Sequence, residues 1–407
     1  MKFIWIPSLL VLALIGCGGD DDNSENLAFE TKATLGEALF SDVNLSANRT
    51  QSCATCHNPE HAFIDDRVNT TSHSADAPGS VSLGDDGVSL GDRNTPTAAY
   101  ARFSPEFGEG TRQRLNSQQS DYEGFIGGQF HDGRASTLAE QAEAPPLNSI
   151  EMGMPDEASV VERLMEDSDY VDSFKSLYGD DIWDNTDAAY EAMGDAIAAF
   201  EETDVFAPFD SKYDRSLTGD YLYDPLSKAA LGKALFFSQQ FTNCATCHQL
   251  NANSSKTETF SGYEYHNIGV PEHQDVRLAN GSVDGFVDQG LLDNDAVTDT
   301  AQTGKYKVPT LRNVAVTGPY MHNGMFADLD TVIRFYDHFL DGSSNTLNPE
   351  TGLVWADPEV SENISFTELE DGSLLDEDDV DALVCFLRTL TDAQFEYLIP
   401  DDGLDCD

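Results

Sequence analysis

Cys53-Ala-Thr-Cys56-His57 and Cys244-Ala-Thr-Cys247-His248 are two copies of one pentapeptide. Cys-x-x-Cys-His is the attachment signature of a c-type haem. The two thiols add across the haem vinyl groups, and the adjacent histidine reaches the iron as its proximal ligand. A Cys-x-x-Cys pair also occurs as a zinc half-site, a redox dithiol or a disulfide. Zinc needs a second pair nearby, and each copy stands alone. A thioredoxin-like motif needs a βαβ setting and no histidine directly after the second cysteine. The pattern predicts two covalent haems, one on Cys53, Cys56 and His57, the other on Cys244, Cys247 and His248.

Moving outward, each copy has the same lead-in: Leu35-Gly-Glu-Ala-Leu-Phe40 before the first and Leu231-Gly-Lys-Ala-Leu-Phe236 before the second. Both read as an amphipathic helix running into a haem site. Phe130-His131-Asp132-Gly133, with Leu138 beyond it, matches Met321-His322-Asn323-Gly324 with Leu329. Such self-similarity predicts two related haem domains in tandem. Helical patterns cover 31–40, 136–144, 157–177, 186–201, 226–237, 327–340 and 376–391; strand signals are weak. Long loops fill 58–125 and 249–310, as expected where a porphyrin supplies much of the core. The fold class is therefore mainly α: two c-type cytochrome domains, 29–205 and 222–400, with little β. Thr203 to Tyr223 reads as the linker.

The chain has 407 residues, 40% of them hydrophobic, and a net charge of −51. That charge argues against nucleic acid and against an anionic membrane surface. A solvated acidic shell explains it, and steering of a basic electron donor is compatible with the same shell. Met1-Lys2 and the apolar run from Phe3 to Ile15 make an export signal, too short for a membrane span. Leu14-Ile15-Gly16-Cys17 resembles a bacterial lipoprotein cleavage box. Residues 1–17 are then a lipoprotein signal peptide, with Cys17 carrying the lipid, and 18–28 a flexible tether; ordinary cleavage nearby would discard Cys17. The expected location is the periplasm, where c-type attachment belongs, with the membrane touched only through an N-terminal lipid. Of seven cysteines, Cys385 and Cys406 remain. They form either a disulfide or a buried thiol and a frayed terminal one.

These motifs, in order, resemble the bacterial di-haem cytochrome c peroxidase family, including its MauG-type branch. The resemblance covers nearly all of the mature chain. Besides the haem sites it rests on Arg93-Asn-Thr-Pro-Thr97, Phe130-His-Asp-Gly-Arg-Ala135 with Leu138 and Gln141, Glu151-Met152-Gly153, Val308-Pro-Thr-Leu-Arg-Asn313 and Pro319-Tyr-Met-His-Asn-Gly324. It implies an N-terminal haem that reacts with hydrogen peroxide, a C-terminal haem that transfers electrons, and a calcium ion between them. His57 and His248 become the proximal ligands, and Gln141 and Glu151 the distal-pocket pair. Asn94, with the carbonyls of Thr317 and Pro319, takes the calcium positions, an oxygen-only set that suits this ion. Breaking an O–O bond heterolytically requires a group that moves a proton between the two oxygens. Glu151 fits that task, although a carboxylate among 73 acidic residues is ordinarily a surface group.

The chain departs from the family pattern at two positions. Many members carry tryptophan directly before Asp-Gly-Arg; here His131 stands there. Neutral histidine is a poor relay for electron holes, so His131 is expected between the haems without a radical role, as a turn histidine matching His322. Many members also ligate the C-terminal iron with methionine. Tyr336, fourteen residues past His322, stands at that register, as in MauG-type proteins. A phenolate is a hard anionic ligand that favours ferric iron and lowers the potential. Met321, Met325 and His338 are the alternatives. On the first haem, His73 falls in an insertion before Gly84, Gly87 and Gly91 and reads as an exposed loop histidine; His61 is a further candidate distal ligand.

The resemblance implies a peroxidase that reduces hydrogen peroxide to water. Its electrons would come from a small periplasmic donor, a cytochrome c or cupredoxin, through the C-terminal haem. The alternative is a MauG-type enzyme that uses peroxide-derived high-valent haem to oxidise or modify a partner protein. A plain electron-transfer cytochrome has no use for the Gln141 and Glu151 pair.

Overall fold

The computed structural model describes residues 28–114, 119–238, 240–250, 258–283 and 285–407. The expected export signal, Cys17 and nearly all of the expected tether lie outside them. The first half holds α1 (Lys32–Phe40), α2 (Cys53–Cys56), α3 (Leu138–Leu147), α4 (Glu157–Leu164), α5 (Ser168–Tyr178) and α6 (Thr186–Glu201). The second holds α7 (Lys212–Thr218), α8 (Lys228–Phe236), α9 (Gln274–Asn280), α10 (Leu329–Asp337), α11 (Phe366–Leu369) and α12 (Glu377–Arg388). Two antiparallel ribbons complete it: β1 (Gly108–Arg112) with β2 (Tyr122–Ile126), and β3 (Tyr265–His266) with β4 (Tyr306–Lys307). The fold is mainly helical with little β. Among the described residues no helix is long and apolar enough to cross a membrane.

The repeated hexapeptide has a repeated structural purpose. Leu35, Leu39 and Phe40 of α1 pack in one core with Met193, Ile197 and Phe200 of α6. Leu235 and Phe236 of α8 pack in a second core with Leu383, Phe386 and Leu387 of α12. The glycine in each hexapeptide lets the two backbones touch. A Cβ on Gly36 would lie 1.9 Å from the Ala196 carbonyl oxygen, and one on Gly232 would lie 1.8 Å from that of Ala382.

Three expectations change in detail. The helix expected over 157–177 is two, because Asp167 accepts a hydrogen bond from the Asp169 amide and starts α5 afresh. The linker contains α7, whose Tyr213 is buried in the C-terminal core while Phe206 belongs to the N-terminal one. The long loops carry the ribbons and α9. Cys385 and Cys406 form a disulfide. The halves are joined by buried polar contacts: Tyr100 Oη donates to Asp392 at 2.6 Å, and Asn313 Nδ2 to the same carboxylate at 2.8 Å.

Candidate active site

Both proximal histidines are set by one device. His57 Nδ1 lies 3.2 Å from the Phe63 carbonyl oxygen, and His248 Nδ1 lies 3.0 Å from that of Phe260. Both phenylalanines adopt left-handed backbone, φ 58° and 55°, a conformation that persists only where surrounding structure enforces it. With Nδ1–H donating to a carbonyl, Nε2 is the nitrogen left for a metal. Burial holds both imidazoles below their ordinary pKa, His248 at about 4, so the neutral ligating form is the stable one. Burial also pushes the thiols of Cys53 and Cys56 up to about 12 and that of Cys244 up to about 11. That is the reverse of a reactive redox dithiol.

Each motif opens onto a cavity. The N-terminal one, about 440 Å³, is lined by Cys53, Cys56 and His57 and also by Gln141, Glu151 and Arg134. Gln141 comes from α3, and Glu151 from the turn after it. Burial raises Glu151 above the ordinary carboxylate range, against the opposing pull of Arg134 and of Asn148, whose amide donates to Oε1 at 2.9 Å. A carboxyl whose hold on its proton is strengthened by burial suits proton transfer. His73 and His61 do not line this cavity. His73 is exposed and meets the Gly324 carbonyl at 2.8 Å; His61 pairs with Asp66 at 3.3 Å.

The C-terminal cavity, about 410 Å³, is lined by Cys244, Cys247, His248, Tyr336 and Met321. Met325 and His338 are not on its wall. Tyr336 is 37% accessible, and its open side is the cavity. Burial raises its phenol pKa, as do the thiols of Cys247 and Cys244 beside it. His322 Nε2 and Glu359 Oε2 are buried on the same wall without a protein partner. Orphaned polar atoms, paired thiols and a preset histidine fit a haem better than an empty apolar hollow.

Between the cavities stands a shared wall. His131, Phe130, Gln129 and Asn94 line both. His131 is half-buried, desolvation lowers its pKa to about 4, and its Nε2 lies 2.9 Å from the Asn94 carbonyl oxygen. Asn94 also borders a small cleft with Thr317 and Gly318, while Pro319 lies on the C-terminal cavity wall. The Asn94 Nδ2 group donates to the Ser80 carbonyl at 3.0 Å, which leaves its amide oxygen as an acceptor.

Several ion pairs and contacts at the site go beyond what the motifs specify. Arg93 reaches Asp132 at 2.6 Å and Asp288 at 2.6 and 2.7 Å, clamping the two halves beside the wall. Arg67 places Nη2 3.3 Å from Cys56 Sγ while pairing with Asp65. Arg114 and Glu264, both buried, pair beside Cys247, with His266 2.9 Å from the same carboxylate. Arg93 and Arg114 meet Asp288 and Glu264 from far along the chain, so no local spacing marks those two pairs.

A family model described as di-haem cytochrome c peroxidase matches residues 30–221. The methylamine utilization protein MauG of Paracoccus denitrificans (strain Pd 1222) is 46% identical over 374 residues, covering 91% of this chain and 91% of that protein. Cytochrome c551 peroxidase of Pseudomonas aeruginosa is 30% identical over 308 residues, covering 75% of this chain and 71% of that one. The crystal structure of the diheme peroxidase BthA from Burkholderia thailandensis E264 matches with a TM-score of 0.76 at 28% identity, over 93% of this chain and 90% of that one. Two attachment motifs, two cavities and these relatives agree: the chain belongs to the di-haem cytochrome c peroxidase family, as a peroxidase-type oxidoreductase with two c-type haems.

Proposed function

We propose that the protein reduces hydrogen peroxide to water at the N-terminal cavity, with electrons from a small periplasmic redox protein entering through the C-terminal haem. The observation that carries this reading is the pair Gln141 and Glu151 on the wall of the cavity that also holds Cys53, Cys56 and His57. When bound, the haems supply the redox change; the protein supplies position and protons. His57, oriented by the Phe63 carbonyl, offers Nε2 to the iron. Gln141 hydrogen-bonds peroxide. Glu151 takes a proton from one peroxide oxygen and returns it to the other, so that two electrons and two further protons convert peroxide into two waters. His131 sits between the haems as a neutral, non-radical spacer.

The proposal extends to three further features. Tyr336 is the sixth ligand of the C-terminal iron, supported by its place on the wall with Cys244 and Cys247. Asn94, Thr317 and Pro319 hold a calcium ion between the domains, supported by their oxygen-only donor set and by the small cleft that Asn94 shares with Thr317. The mature chain is periplasmic and lipid-anchored through Cys17. A second reading, oxidation or modification of a partner protein by a MauG-type reaction, is favoured by Tyr336 and by the 46% identity to MauG. Stopped-flow mixing with peroxide separates the two. The primary reading expects two reduced donor molecules oxidised per peroxide. A donor left reduced while oxidising equivalents persist and then modify an added protein would select the second.

A further inference from the structure

Glu201 is the last residue of α6 and has no part in the reaction just described. It is 5% exposed, and its Oε2 is buried without a hydrogen-bond partner. Ile197, one helical turn earlier, lines the N-terminal cavity together with Glu201 and Cys53, so this edge of the helix borders the haem position. Beside it, Phe200 packs edge-on against Phe40 and Phe206, at 5.5 and 5.0 Å, and fixes the end of α6.

An unpartnered carboxylate in such a place is costly. Burial raises the Glu201 pKa to about 8. The C-terminal end of a helix also disfavours negative charge; the last turn of α6 has no basic residue of its own, and the cation at that end, Arg102, donates to the Glu202 carbonyl and pairs with Asp204 at 3.2 Å. The elements packed on α6 bring their titratable groups elsewhere along it. Lys32 of α1 pairs with Asp195 at 2.6 Å, and Glu143 of α3 lies against Gly194. At Glu201 itself the titratable neighbour is Cys53, which no longer titrates as a thioether. Across the cavity stand Glu151 and Arg134 together with Asp92, Arg93, Asp132, Asp288 and Asp293; Arg134 pairs with Asp132 at 2.8 Å, and Arg93 pairs with Asp132 and with Asp288, each at 2.6 Å.

We propose that Glu201 is a redox-coupled acid of the N-terminal cavity: it holds a proton while the haem attached at Cys53 is reduced and releases it when that haem is oxidised. The step balances. The haem gives one electron to the oxidant, the carboxyl gives one proton to solvent, and both return on reduction. The cause is Coulombic, since one added positive charge beside a carboxyl in a low-dielectric pocket favours its ionised form. Glu201 acts through the haem and does not touch peroxide, so it is a positioning residue for charge. The inference rests on a haem being held at Cys53, not on which reaction that haem serves.

The test is a spectroelectrochemical titration of the N-terminal haem in the intact di-haem protein from pH 5 to 9, with no peroxide present. The potential should be level where the carboxyl is protonated in both redox states. It should fall by up to about 59 mV per pH unit, the one-electron equivalent of a tenfold change, where only the reduced state keeps the proton. It should level off again above about pH 8. Glu201→Gln should abolish the slope, and Glu151→Gln should keep it. A slope that survives Glu201→Gln, or a wild-type potential independent of pH, overturns the proposal. Redox-difference infrared spectra of the Glu151→Gln variant, which lacks the other glutamate carboxyl of this cavity, decide the matter even if Glu201→Gln loses its haem. Oxidation should remove a protonated-carboxyl C=O band, and no such loss overturns the proposal.

Discussion

The two halves of the molecule share a scaffold and differ in what faces the haem. Each has a glycine-mediated helix crossing, Gly36 on Ala196 and Gly232 on Ala382, and each holds its proximal histidine against a left-handed phenylalanine carbonyl. The wall opposite is where they part. The N-terminal cavity presents Gln141, Glu151 and Glu201; the C-terminal one presents Tyr336 and Met321. The scaffold for haem attachment is thus repeated while the facing side chains are not: among the described residues phenols line the C-terminal cavity and none lines the N-terminal one.

The largest effect expected from breaking this contrast is at Glu151. Glu151→Gln keeps the shape and the Asn148 contact and removes the transferable proton. General acid–base help is typically worth roughly 100- to 10,000-fold, so peroxide turnover should fall by that range while both haems remain attached. Steady-state turnover together with a pyridine haemochrome count checks it. Turnover close to wild type with two haems present would leave Glu151 a structural carboxylate, and the two cavities would then not differ in acid–base capacity.

A smaller effect, confined to the other half, is expected from Tyr336→Met. A soft thioether in place of a phenolate favours ferrous iron. The C-terminal haem potential should rise by on the order of 0.1 V, a modest share of the roughly 0.8 V that axial ligands span. The N-terminal haem should not move. A potentiometric titration that resolves the two haems gives the answer; an unchanged C-terminal potential would remove Tyr336 from the iron.

The haem attachment sites, the tandem architecture and the position of most helices were legible because each rests on local spacing: five residues for attachment, a hexapeptide for the lead-in, a 3.6-residue period for helices. The break between α4 and α5 was not, because apolar periodicity runs through it and only the Asp167 cap interrupts it. Glu201 was invisible for a different reason. Sequence offers 73 acidic residues, and only tertiary packing of α6 on α1 shows that this one has lost both water and partner. Arg93 stands in a motif, but its pairing with Asp288 of the other half is visible only in the tertiary structure. The family resemblance placed His131 between the haems, and it lines both cavities.

The smallest effects sharpen the claim that the scaffold is truly repeated. A methyl group on Gly36 would meet the Ala196 carbonyl oxygen at 1.9 Å, and one on Gly232 the Ala382 carbonyl oxygen at 1.8 Å. Neither neighbour is a flexible side-chain tip, so each helix pair must move apart. Overpacking of this kind costs about 1–3 kcal/mol. Gly36→Ala and Gly232→Ala should therefore each lower the melting temperature of their own half, by about 2–4 °C per kcal/mol for a domain of this size. Gly108→Ala is the control: a Cβ there meets nothing within 4 Å, and removing a glycine's unfolded-state freedom is neutral or slightly stabilising. Differential scanning calorimetry of the three holo variants measures all of it. Matched losses at Gly36 and Gly232 mean that both crossings are equally tight. A loss at one alone means that the other pair of helices slides to admit the methyl group, and that the two halves share a sequence signature without sharing its mechanical role.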